Sequence, residues 1–465
     1  MIRLALPTGD LRTETAAMLD AAGAGIDAYG AGSRELRFPM LGDAAIARVF
    51  REKDIPVQVA LGNYDIGICG STWIEELAQR FPSHDVVRLR DLGFGAQSLW
   101  LATTATGETA DASIRIVSEY PNIAEALARR LRLRRYRVFP VWGAAEAYPP
   151  EDADVALIAA TDTSAIEAHG LRPIAKVLDS SAWLIANRRS IAEKDLSAVM
   201  GKLLRAGSAA TAPALVAPPS LGLRLGAAQP ARTSLRLALP DGHAQSHTIA
   251  ALQMAGIRVF GYDEGTIVRR PQIDVEGVEV KVIRPQDMPQ QVAIGQFDLA
   301  VTGRDWLFDH LVQFPSSPVE EIVDLRRSIY GLAVIVKDVP ADNVADALTW
   351  WRSRSAAPVR VASEYPNIAD HFARERHFGR YSVIPIQGAS EGFVPDDAEI
   401  LIEGIDTGSS VRANKLTVLE RFFESTNCVI ANKRRPEGAM RPVFDALVEK
   451  LRLGAAAPVA AGGGA

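Results

Sequence analysis

One segment of seven residues, SEYPNIA, occurs twice in this chain, at 118–124 and again at 363–369. Seven identical residues do not recur by chance in a chain of 465 residues. An internal repeat of this kind indicates a duplicated unit, so both halves of the chain are expected to share one fold. The repeat therefore limits the architecture more than composition does. It also raises the question of whether both copies keep the same chemistry.

The repeat extends far beyond this segment. IRLALP at 2–7 corresponds to LRLALP at 235–240, and REKDIPVQVALGNYDIGICG at 51–70 corresponds to RPQDMPQQVAIGQFDLAVTG at 284–303, both with an offset of 233 residues. From SEYPNIA onward the offset is 245, and it holds through LIANRR and VIANKR. The additional 12 residues fall around DNVADALTWW in the second half. We expect an added helix there.

Two segments rich in Ala, Pro and Gly separate the repeats and end the chain. Such composition predicts mobile segments without a fixed fold. We therefore predict an N-terminal repeat at 1–205 (copy one), a linker at 206–234, a C-terminal repeat at 235–453 (copy two) and a disordered tail at 454–465.

Within each copy, short β-branched runs alternate with helical patterns, which predicts an α/β fold. In DIPVQVALGN, Asp54 suits a helix N-cap, Pro56 suits the first turn and Gly62 suits the end. DMPQQVAIGQ repeats this pattern in copy two. In SEYPNIA, the proline predicts that YPN opens the following helix. Its preservation is compatible with a role at a cleft and equally with a shared turn requirement.

Composition and charge exclude some classes of function. The net charge is −5 with acids and bases interspersed, which argues against a large basic surface for nucleic acid. Cys69 and Cys428 lie in unrelated contexts, so a zinc site or a disulfide framework is not expected. MIRLALPTGD is typical of a buried strand ending at Pro7 rather than of a signal peptide, and no apolar run has the length of a membrane span. We expect a cytoplasmic protein without nucleic-acid or membrane partners.

The stretch AEILIEGIDTGSSVRANKL, at 398–416, has the pattern of a strand, a turn of small residues and a helix. Such a turn points several backbone N–H groups in one direction, with the helix N-terminus behind them, and this favours a phosphate. Gly408 allows close approach of the backbone, and the hydroxyls of Thr407, Ser409 and Ser410 can donate hydrogen bonds. A plain strand–turn–helix connection is the alternative.

Two acids, Glu403 and Asp406, follow the apolar run ILI and come just before this turn. Carboxylates accept hydrogen bonds from sugar hydroxyls. Acids next to a phosphate loop therefore indicate a sugar phosphate as ligand.

The motifs ALPxG, RxxDxP, DxGxxG, DLGFG, YPNI, (D/E)xx(D/E)TGxSxxxN and IAN occur here in an order and spacing that resemble the catalytic region of ATP phosphoribosyltransferases, the first enzymes of histidine biosynthesis. The resemblance covers both copies nearly end to end, each similar to the short form of the enzyme. It implies an α/β fold of two tandem copies of a two-lobed periplasmic-binding-protein-like (type II) catalytic unit. The implied lobes are 1–100 plus 186–205 and 101–185 in copy one, and 235–333 plus 431–453 and 334–430 in copy two.

The resemblance also implies a reaction and its residues. Adenine N1 of ATP would join C1 of phosphoribosyl pyrophosphate and release pyrophosphate with Mg²⁺ present, its ligands unassigned. Glu403 and Asp406 would hold the ribose, and Thr407, Gly408, Ser409 and Ser410 its 5′-phosphate. Arg34, Arg51 and Arg284 would neutralise the pyrophosphate. The implied nucleotide-binding residues are Asp298, Gly303, Tyr365, Asp65 and Gly70.

The copies differ at the phosphate loop. Glu403, Asp406, Thr407, Gly408 and Ser410 align with Ile158, Thr161, Asp162, Thr163 and Ala165 of copy one. Since copy one lacks the first acid, the glycine and one hydroxyl, we expect the sugar phosphate to bind copy two alone.

Other motifs are kept only in copy one. GSRELRF carries Arg34 where copy two has Ile267, and DLGFG at 91–95 corresponds to DLRRS. Our hypothesis is a composite site in which Arg34 and Arg51 of copy one assist the phosphate loop of copy two. The alternative is that these arginines are ordinary surface charges. The resemblance further implies an internal pseudo-dimer, with a homo-oligomer or a regulatory subunit as possible assemblies.

One departure from the family concerns the loop after ALP, which usually carries a basic residue on each side of a glycine. Here copy one has Thr8 and Asp10 at these positions, and copy two has Asp241 and His243. This leaves open a catalytically weak regulatory paralogue, or a small-molecule-binding module of the same fold.

Overall fold

The structure is a computed structural model of the chain. It describes residues 1–30, 35–42, 44–109, 113–205, 211–225, 232–265 and 268–456. Among the described helices, none combines the length and the apolar character that a bilayer crossing requires.

Copy one folds into two sheets with helices packed on them. Its strands are β1 (Ile2–Pro7), β2 (Arg37–Met40), β3 (Ala45–Phe50), β4 (Ile66–Gly70), β5 (Val86–Asp91), β6 (Gln97–Thr104), β7 (Glu108–Thr109), β8 (Ile114–Ser118), β9 (Tyr136–Pro140), β10 (Val155–Ala160), β11 (Leu171–Ser180) and β12 (Ala182–Asn187). Its helices are α1 (Arg12–Ala21), α2 (Ile55–Ala60), α3 (Ser71–Arg80), α4 (Pro121–Arg130), α5 (Thr163–Glu167), α6 (Arg188–Glu193) and α7 (Ser197–Leu203). The strand orders are β2-β3-β1-β4-β12-β5 in the first lobe and β11-β6-β10-β8-β9 in the second.

The linker between the copies is partly ordered against copy one, which corrects the prediction of a segment without a fixed fold. Leu215 and Leu221 are buried on the second lobe, and the N–H of Val216 donates to the carbonyl of Val177 at 2.8 Å. A short strand, β13 (Arg224–Leu225), pairs with β7. The leucines cover apolar surface, which composition alone did not indicate.

Copy two repeats the architecture. Its strands are β14 (Leu235–Pro240), β15 (Val259–Phe260), β16 (Gln272–Ile273), β17 (Val278–Ile283), β18 (Leu299–Gly303), β19 (Val319–Asp324), β20 (Tyr330–Val336), β21 (Val359–Ser363), β22 (Tyr381–Pro385), β23 (Ile400–Ile405), β24 (Thr417–Ser425) and β25 (Asn427–Asn432). Its helices are α8 (Ala244–Met254), α9 (Met288–Ala293), α10 (Arg304–Gln313), α11 (Val344–Arg354), α12 (Pro366–Glu375), α13 (Ser409–Ala413) and α14 (Met440–Ala456). The predicted added helix is α11. Helix α14 includes residues 454–456 of the predicted tail, and 457–465 lie outside the described residues.

The sheet topology confirms the two-lobed fold. The strand orders in copy two are β17-β14-β18-β25-β19 and β22-β21-β23-β20-β24. In the first lobe of copy two, β17, β14 and β18 are parallel, and β25 pairs antiparallel with β18. In the second lobe, β22, β21 and β23 are parallel, and β20 pairs antiparallel with β23. The predicted lobe boundaries were shifted, because 97–100 and 330–333 already belong to the second sheets, whereas 182–185 and 427–430 belong to the first. A continuous apolar run does not show where a strand changes sheets.

The copies pack with the first lobe of each against the second lobe of the other. Ile55 and Phe50 of copy one share a core with Phe393 of copy two, and the converse cluster joins the opposite pair of lobes. Buried cations cross both contacts. Arg48 donates to the carbonyl of Gly392 at 2.8 Å, and Lys281 lies 2.6 Å from a carboxylate oxygen of Asp152. The described residues thus form the internal pseudo-dimer that the sequence predicted.

Candidate functional site

The repeated segment SEYPNIA joins the two lobes of each copy. In copy two, the hydroxyl of Ser363 donates to the carbonyl of Ile402 at 2.8 Å and accepts from the N–H of Tyr365 at 2.9 Å. Helix α12 begins at Pro366, as predicted. The carboxylate of Asp309, on the first lobe, accepts from the N–H groups of Asn367 and Ile368 and from the Asn367 amide, at 2.7 to 3.0 Å. The N-terminus of α12, in the second lobe, is thereby hydrogen-bonded to the first lobe.

Copy one makes the same contacts, with Glu76 accepting from Asn122 and Ile123 at 2.6 to 2.9 Å. The aromatic residue of the segment also packs alike in both copies. The ring centroid of Tyr365 lies 4.3 Å from that of Trp306, and the Tyr120–Trp73 distance is 4.5 Å. A structural requirement shared by both copies therefore accounts for the preserved segment.

A cavity of about 310 Å³ lies between the lobes of copy two. It brings together five residues that the sequence predicted, namely Arg284, Gly303, Tyr365, Glu403 and Asp406. These residues belong to strands, helices and loops of both lobes, so the cleft has walls from each lobe.

Glu403 lies within β23 rather than after it, since the strand continues to Ile405. Its Oε1 accepts a hydrogen bond from the neighbouring N–H of Gly404 at 3.2 Å. Its Oε2 is buried and has no hydrogen-bond partner among the described residues. Burial, reinforced by the charge of Glu364, raises the pKa of Glu403 well above its ordinary value. A buried polar atom without a partner is uncommon and marks a place where a ligand hydroxyl can bind.

The turn after β23 has the geometry expected for a phosphate loop. Gly408 has φ +68° and precedes α13, and no side chain in the described residues caps this helix. The hydroxyl of Thr407 donates to that of Ser409 at 3.2 Å. Asp406 and Thr407 are exposed; Asp406 lines the cavity, whereas the described cavity lining does not include residues 407–410. The positive φ explains why glycine is required at position 408.

The corresponding turn of copy one is closed by its own side chain. Asp162 is the N-cap of α5, and its carboxylate accepts from the N–H of Ala165 at 3.0 Å and from the hydroxyl of Ser164. These hydrogen bonds lower the pKa of Asp162. An internal carboxylate thus occupies the helix terminus that a phosphate would need.

Arginines cross between the copies. Arg51 of copy one and Glu364, which lines the cleft of copy two, both approach Gly388: a Cβ built there would lie 3.0 Å from Nε of Arg51 and 3.1 Å from Oε1 of Glu364, although these two described side chains form no ion pair. Burial raises the pKa of Glu364 to about 7, although Arg51 and Lys53 oppose the shift. Arg51 also lines a cavity of about 440 Å³ between the copies. Arg34 lies outside the described residues.

Asp241 occupies one of the positions where the family usually carries a basic residue. Its carboxylate accepts from Arg269 at 2.7 Å and from Arg284 at 3.2 Å. Arg269 also binds Glu146 of copy one at 2.6 Å. The acid therefore holds two arginines beside the cleft.

Three predicted nucleotide-binding residues do not join this cleft. Asp298 precedes β18, at the edge of the sheet away from the cleft, and accepts from the N–H of Arg236 at 2.8 Å. Asp65 precedes β4 and accepts from the N–H of Arg3 at 2.8 Å. Both acids tie neighbouring strands together, which corrects their predicted role. Gly70 ends β4 in copy one and donates to Glu52 at 3.1 Å.

Sequence reasoning missed Glu364, Lys53 and Asp241 as residues of these cavities. For Glu364 the signal was present, because it is the only acid of the repeated segment SEYPNIA. In the described residues, no group of three or more His, Cys, Asp or Glu side chains could hold a metal ion.

Comparison with known proteins agrees with the resemblance seen in the motifs. The profile of the ATP phosphoribosyltransferase family matches residues 51–206 and again 284–453. An ATP phosphoribosyltransferase of Chlorobium chlorochromatii is 31% identical over 202 residues, which are 43% of this chain and 64% of that protein. One from Saccharolobus solfataricus is 30% identical over 208 residues, 43% of this chain and 65% of its own length. The chain thus spans somewhat less than two thirds of these relatives.

Among solved structures, an ATP phosphoribosyl transferase (HisG:HisZ) complex from Thermotoga maritima is similar, with a TM-score of 0.39 and 18% identity. The match covers 44% of this chain and 98% of that chain.

Proposed function

The chain belongs to the ATP phosphoribosyltransferase family, and we propose that it is an ATP phosphoribosyltransferase whose working site is the cleft of copy two. In this glycosyltransferase reaction, adenine N1 of ATP bonds to C1 of phosphoribosyl pyrophosphate, and the C1–O bond to pyrophosphate breaks. The proposal depends on two observations in the part of the chain that the structure describes: no side chain caps the helix after Gly408, and Oε2 of Glu403 has no hydrogen-bond partner, whereas Asp162 closes the turn of copy one.

The roles of the residues follow from their chemistry. Glu403 and Asp406 accept hydrogen bonds from the ribose hydroxyls, and the turn from Thr407 to Ser410 binds the 5′-phosphate. Because adenine N1 is itself the nucleophile, the protein needs no nucleophilic side chain. It contributes orientation and stabilisation of the charge that develops on the leaving pyrophosphate.

The second part of the proposal is that copy one assists the same site. Arg51 lines the cavity between the copies together with Glu364 and Arg284, and Arg284 also lines the cleft and donates to Asp241. Guanidinium groups bind phosphate oxygens in pairs of hydrogen bonds. We assign Arg51 and Arg284 to the pyrophosphate group of the sugar substrate.

Mg²⁺ fits this site as an ion that arrives with the substrate. Mg²⁺ in phosphate sites is commonly held by one or two carboxylates, substrate phosphates and water. Asp406, exposed where it lines the cavity, is the carboxylate that would hold it. When bound, it would neutralise part of the charge on the pyrophosphate.

The test is release of pyrophosphate by the full chain supplied with ATP, phosphoribosyl pyrophosphate and Mg²⁺. Glu403→Gln and Gly408→Thr should each lower kcat/KM at least tenfold, the second because it introduces the residue that copy one carries. Asp162→Asn in copy one is the matched control and should leave the rate within twofold. A wild-type chain that releases no pyrophosphate but binds one of the substrates would instead support the small-molecule-binding alternative.

A further inference from the structure

The cleft of copy two has lost the usual basic loop but carries other nitrogen donors. His243, which lines the cavity, and His247 lie one turn apart on α8, with ring centroids 5.5 Å apart. In copy one, the same positions hold Asp10 and Glu14. The two positions therefore change from acidic in one copy to imidazole in the other, and only in the copy with the open phosphate loop.

A second difference lies in the facing loop after β19. Residues 326–328 read RRS where copy one reads GFG. Arg326 and Ser328 both have φ +53°, a left-handed conformation that costs little for glycine but strains other residues. Strain of this kind persists where surrounding structure enforces it, and it is common at binding sites. Arg327 thus lies between two residues with unfavourable backbone conformations, next to Ser328, which lines the cleft.

The neighbouring helix has changed to accommodate this loop. In copy one, a Cβ added to Gly95 would lie 2.2 Å from Cδ2 of Leu11. In copy two the aligned residues are Ser328 and Ala244, and the smaller Ala244 removes that clash. Both residues line the cleft. The larger residue in the loop is thus matched by a smaller residue on the helix, so Ser328 can pack where a Cβ in copy one would clash with Leu11.

Hydrogen bonds hold this loop against the first turn of α8. The N–H of Asn427 donates to the carbonyl of Arg327 at 2.8 Å, and its side chain reaches the carbonyl of Ala244 and the hydroxyl of Thr248 at 3.4 and 3.3 Å. Asn427 itself lines the cavity. Arg327 is half-buried, and among the described residues no carboxylate forms an ion pair with it.

The charges around His247 agree with this arrangement. Burial lowers the pKa of His247 first, and His243 and Arg327 lower it further, whereas Asp406 opposes them. Asp406 and His243 line the cleft, whereas Arg327 and His247 adjoin the cleft-lining residues Ser328 and Ala244.

We propose that Arg327, His243 and His247 form a subsite for the polyphosphate group of a substrate, in place of the basic residues that the first loop of copy two lacks. Guanidinium and imidazole N–H groups donate to phosphate oxygens, and a cation without a carboxylate partner loses no ion pair when the anion binds. The inference rests on the proposed function. The polyphosphate is either the triphosphate of ATP or the pyrophosphate of phosphoribosyl pyrophosphate, which share this chemistry.

The test compares ligands that differ only in their phosphates, by calorimetry on the full chain with Mg²⁺: ATP against AMP, and phosphoribosyl pyrophosphate against ribose 5-phosphate. Arg327→Ala should weaken one polyphosphate ligand by roughly tenfold or more, the size of a lost charge-assisted hydrogen bond. Its monophosphate partner should change less than twofold. The ligand pair that responds identifies the source of the polyphosphate.

Arg326→Ala is the matched control, because it removes the same charge from the exposed neighbour in the same loop. It should bind all four ligands as the wild type does. Equal effects of Arg326→Ala and Arg327→Ala, or equal losses for monophosphates and polyphosphates, would overturn the subsite. If Arg327→Ala fails to fold by circular dichroism, Arg327→Lys and His243→Gln replace it. Arg327→Lys keeps the positive charge and should bind the same polyphosphate ligand within about fivefold of the wild type, whereas His243→Gln should weaken that ligand.

The two proposals fail differently. A wild-type chain that neither binds the substrates nor releases pyrophosphate refutes the proposed function and the subsite together. A wild-type chain that is active, with Arg327→Ala binding as tightly, refutes the subsite alone.

Discussion

Replacing Asp287 by asparagine should remove a large part of the pH dependence of stability. Asp287 is 6% exposed and precedes α9 in copy two. Its carboxylate accepts from the N–H of Trp142, in the other copy, at 3.0 and 3.2 Å. Burial raises the pKa of Asp287 to about 8, more than this hydrogen bond lowers it.

The sign and size follow from linkage. In the unfolded chain an aspartate ionises near pH 4, so between that pH and the raised folded pKa the folded state binds one more proton. Stability from this group is therefore present at low pH and is lost as the pH rises, by about 1.4 kcal/mol per pH unit. From pH 5 to pH 7 the loss is about 2.7 kcal/mol. Asparagine cannot ionise, yet its carbonyl oxygen still accepts from Trp142.

The assay is urea unfolding of the wild type and Asp287→Asn at pH 5 and pH 7, with Asp342→Asn as an exposed control. The stability of Asp287→Asn relative to the wild type should rise by about 2.7 kcal/mol between the two pH values, while the control should not change. Other titrating groups cancel in this difference. A relative stability that stays constant within about 0.5 kcal/mol would show that the folded carboxyl is already ionised at pH 5, and the reasoning would be wrong.

Three further predictions concern stability, each measured by urea unfolding at pH 7. Lys281→Met should cost about 1–3 kcal/mol, because it removes one of the two cations of copy two that pair with Asp152, 1% exposed, and leaves only Arg236 at 3.1 Å. Gly404→Ala should cost about 1–3 kcal/mol, because the new Cβ would lie 2.9 Å from the ring of Tyr330. Asp309→Ala should cost about 1–2 kcal/mol by exposing the start of α12, and an unchanged midpoint would contradict a role in joining the lobes.

Much of the fold could be predicted from local pattern. Strand β1 ends at Pro7, α12 begins at Pro366, and α2 lies between Asp54 and Gly62, as the sequence indicated. These features depend on backbone preferences of single residues, which do not require knowledge of the partner surface. The crossing points between lobes could not be predicted in this way, since both sheets draw on equally apolar strands.

Those parts of the candidate site that depend on consecutive residues could be predicted from the sequence. The turn around Gly408 has the positive φ that its glycine implied, and the loss of this glycine in copy one coincides with closure by Asp162. Asp65 and Asp298 were placed wrongly at the site, because their motif does not reveal which end of a strand faces the cleft.

Sequence alone established that the chain is a duplicated α/β unit and which family it resembles, and it predicted which copy keeps a phosphate loop. These properties are written in residue order and local conformational preference. Asp54 shows the limit: its position before α2 was predicted, yet its side chain does not cap the helix but accepts from the N–H of Gln387 in the other copy at 3.2 Å.

Only the tertiary structure decided such partners. Arg51 and Glu364 line one cavity, and the linker leucines cover copy one, because packing brings together surfaces that are far apart in the chain. A hydrogen bond or ion pair forms with whichever group burial leaves within about 3 Å, and that distance is a property of the packed lobes rather than of the residue order.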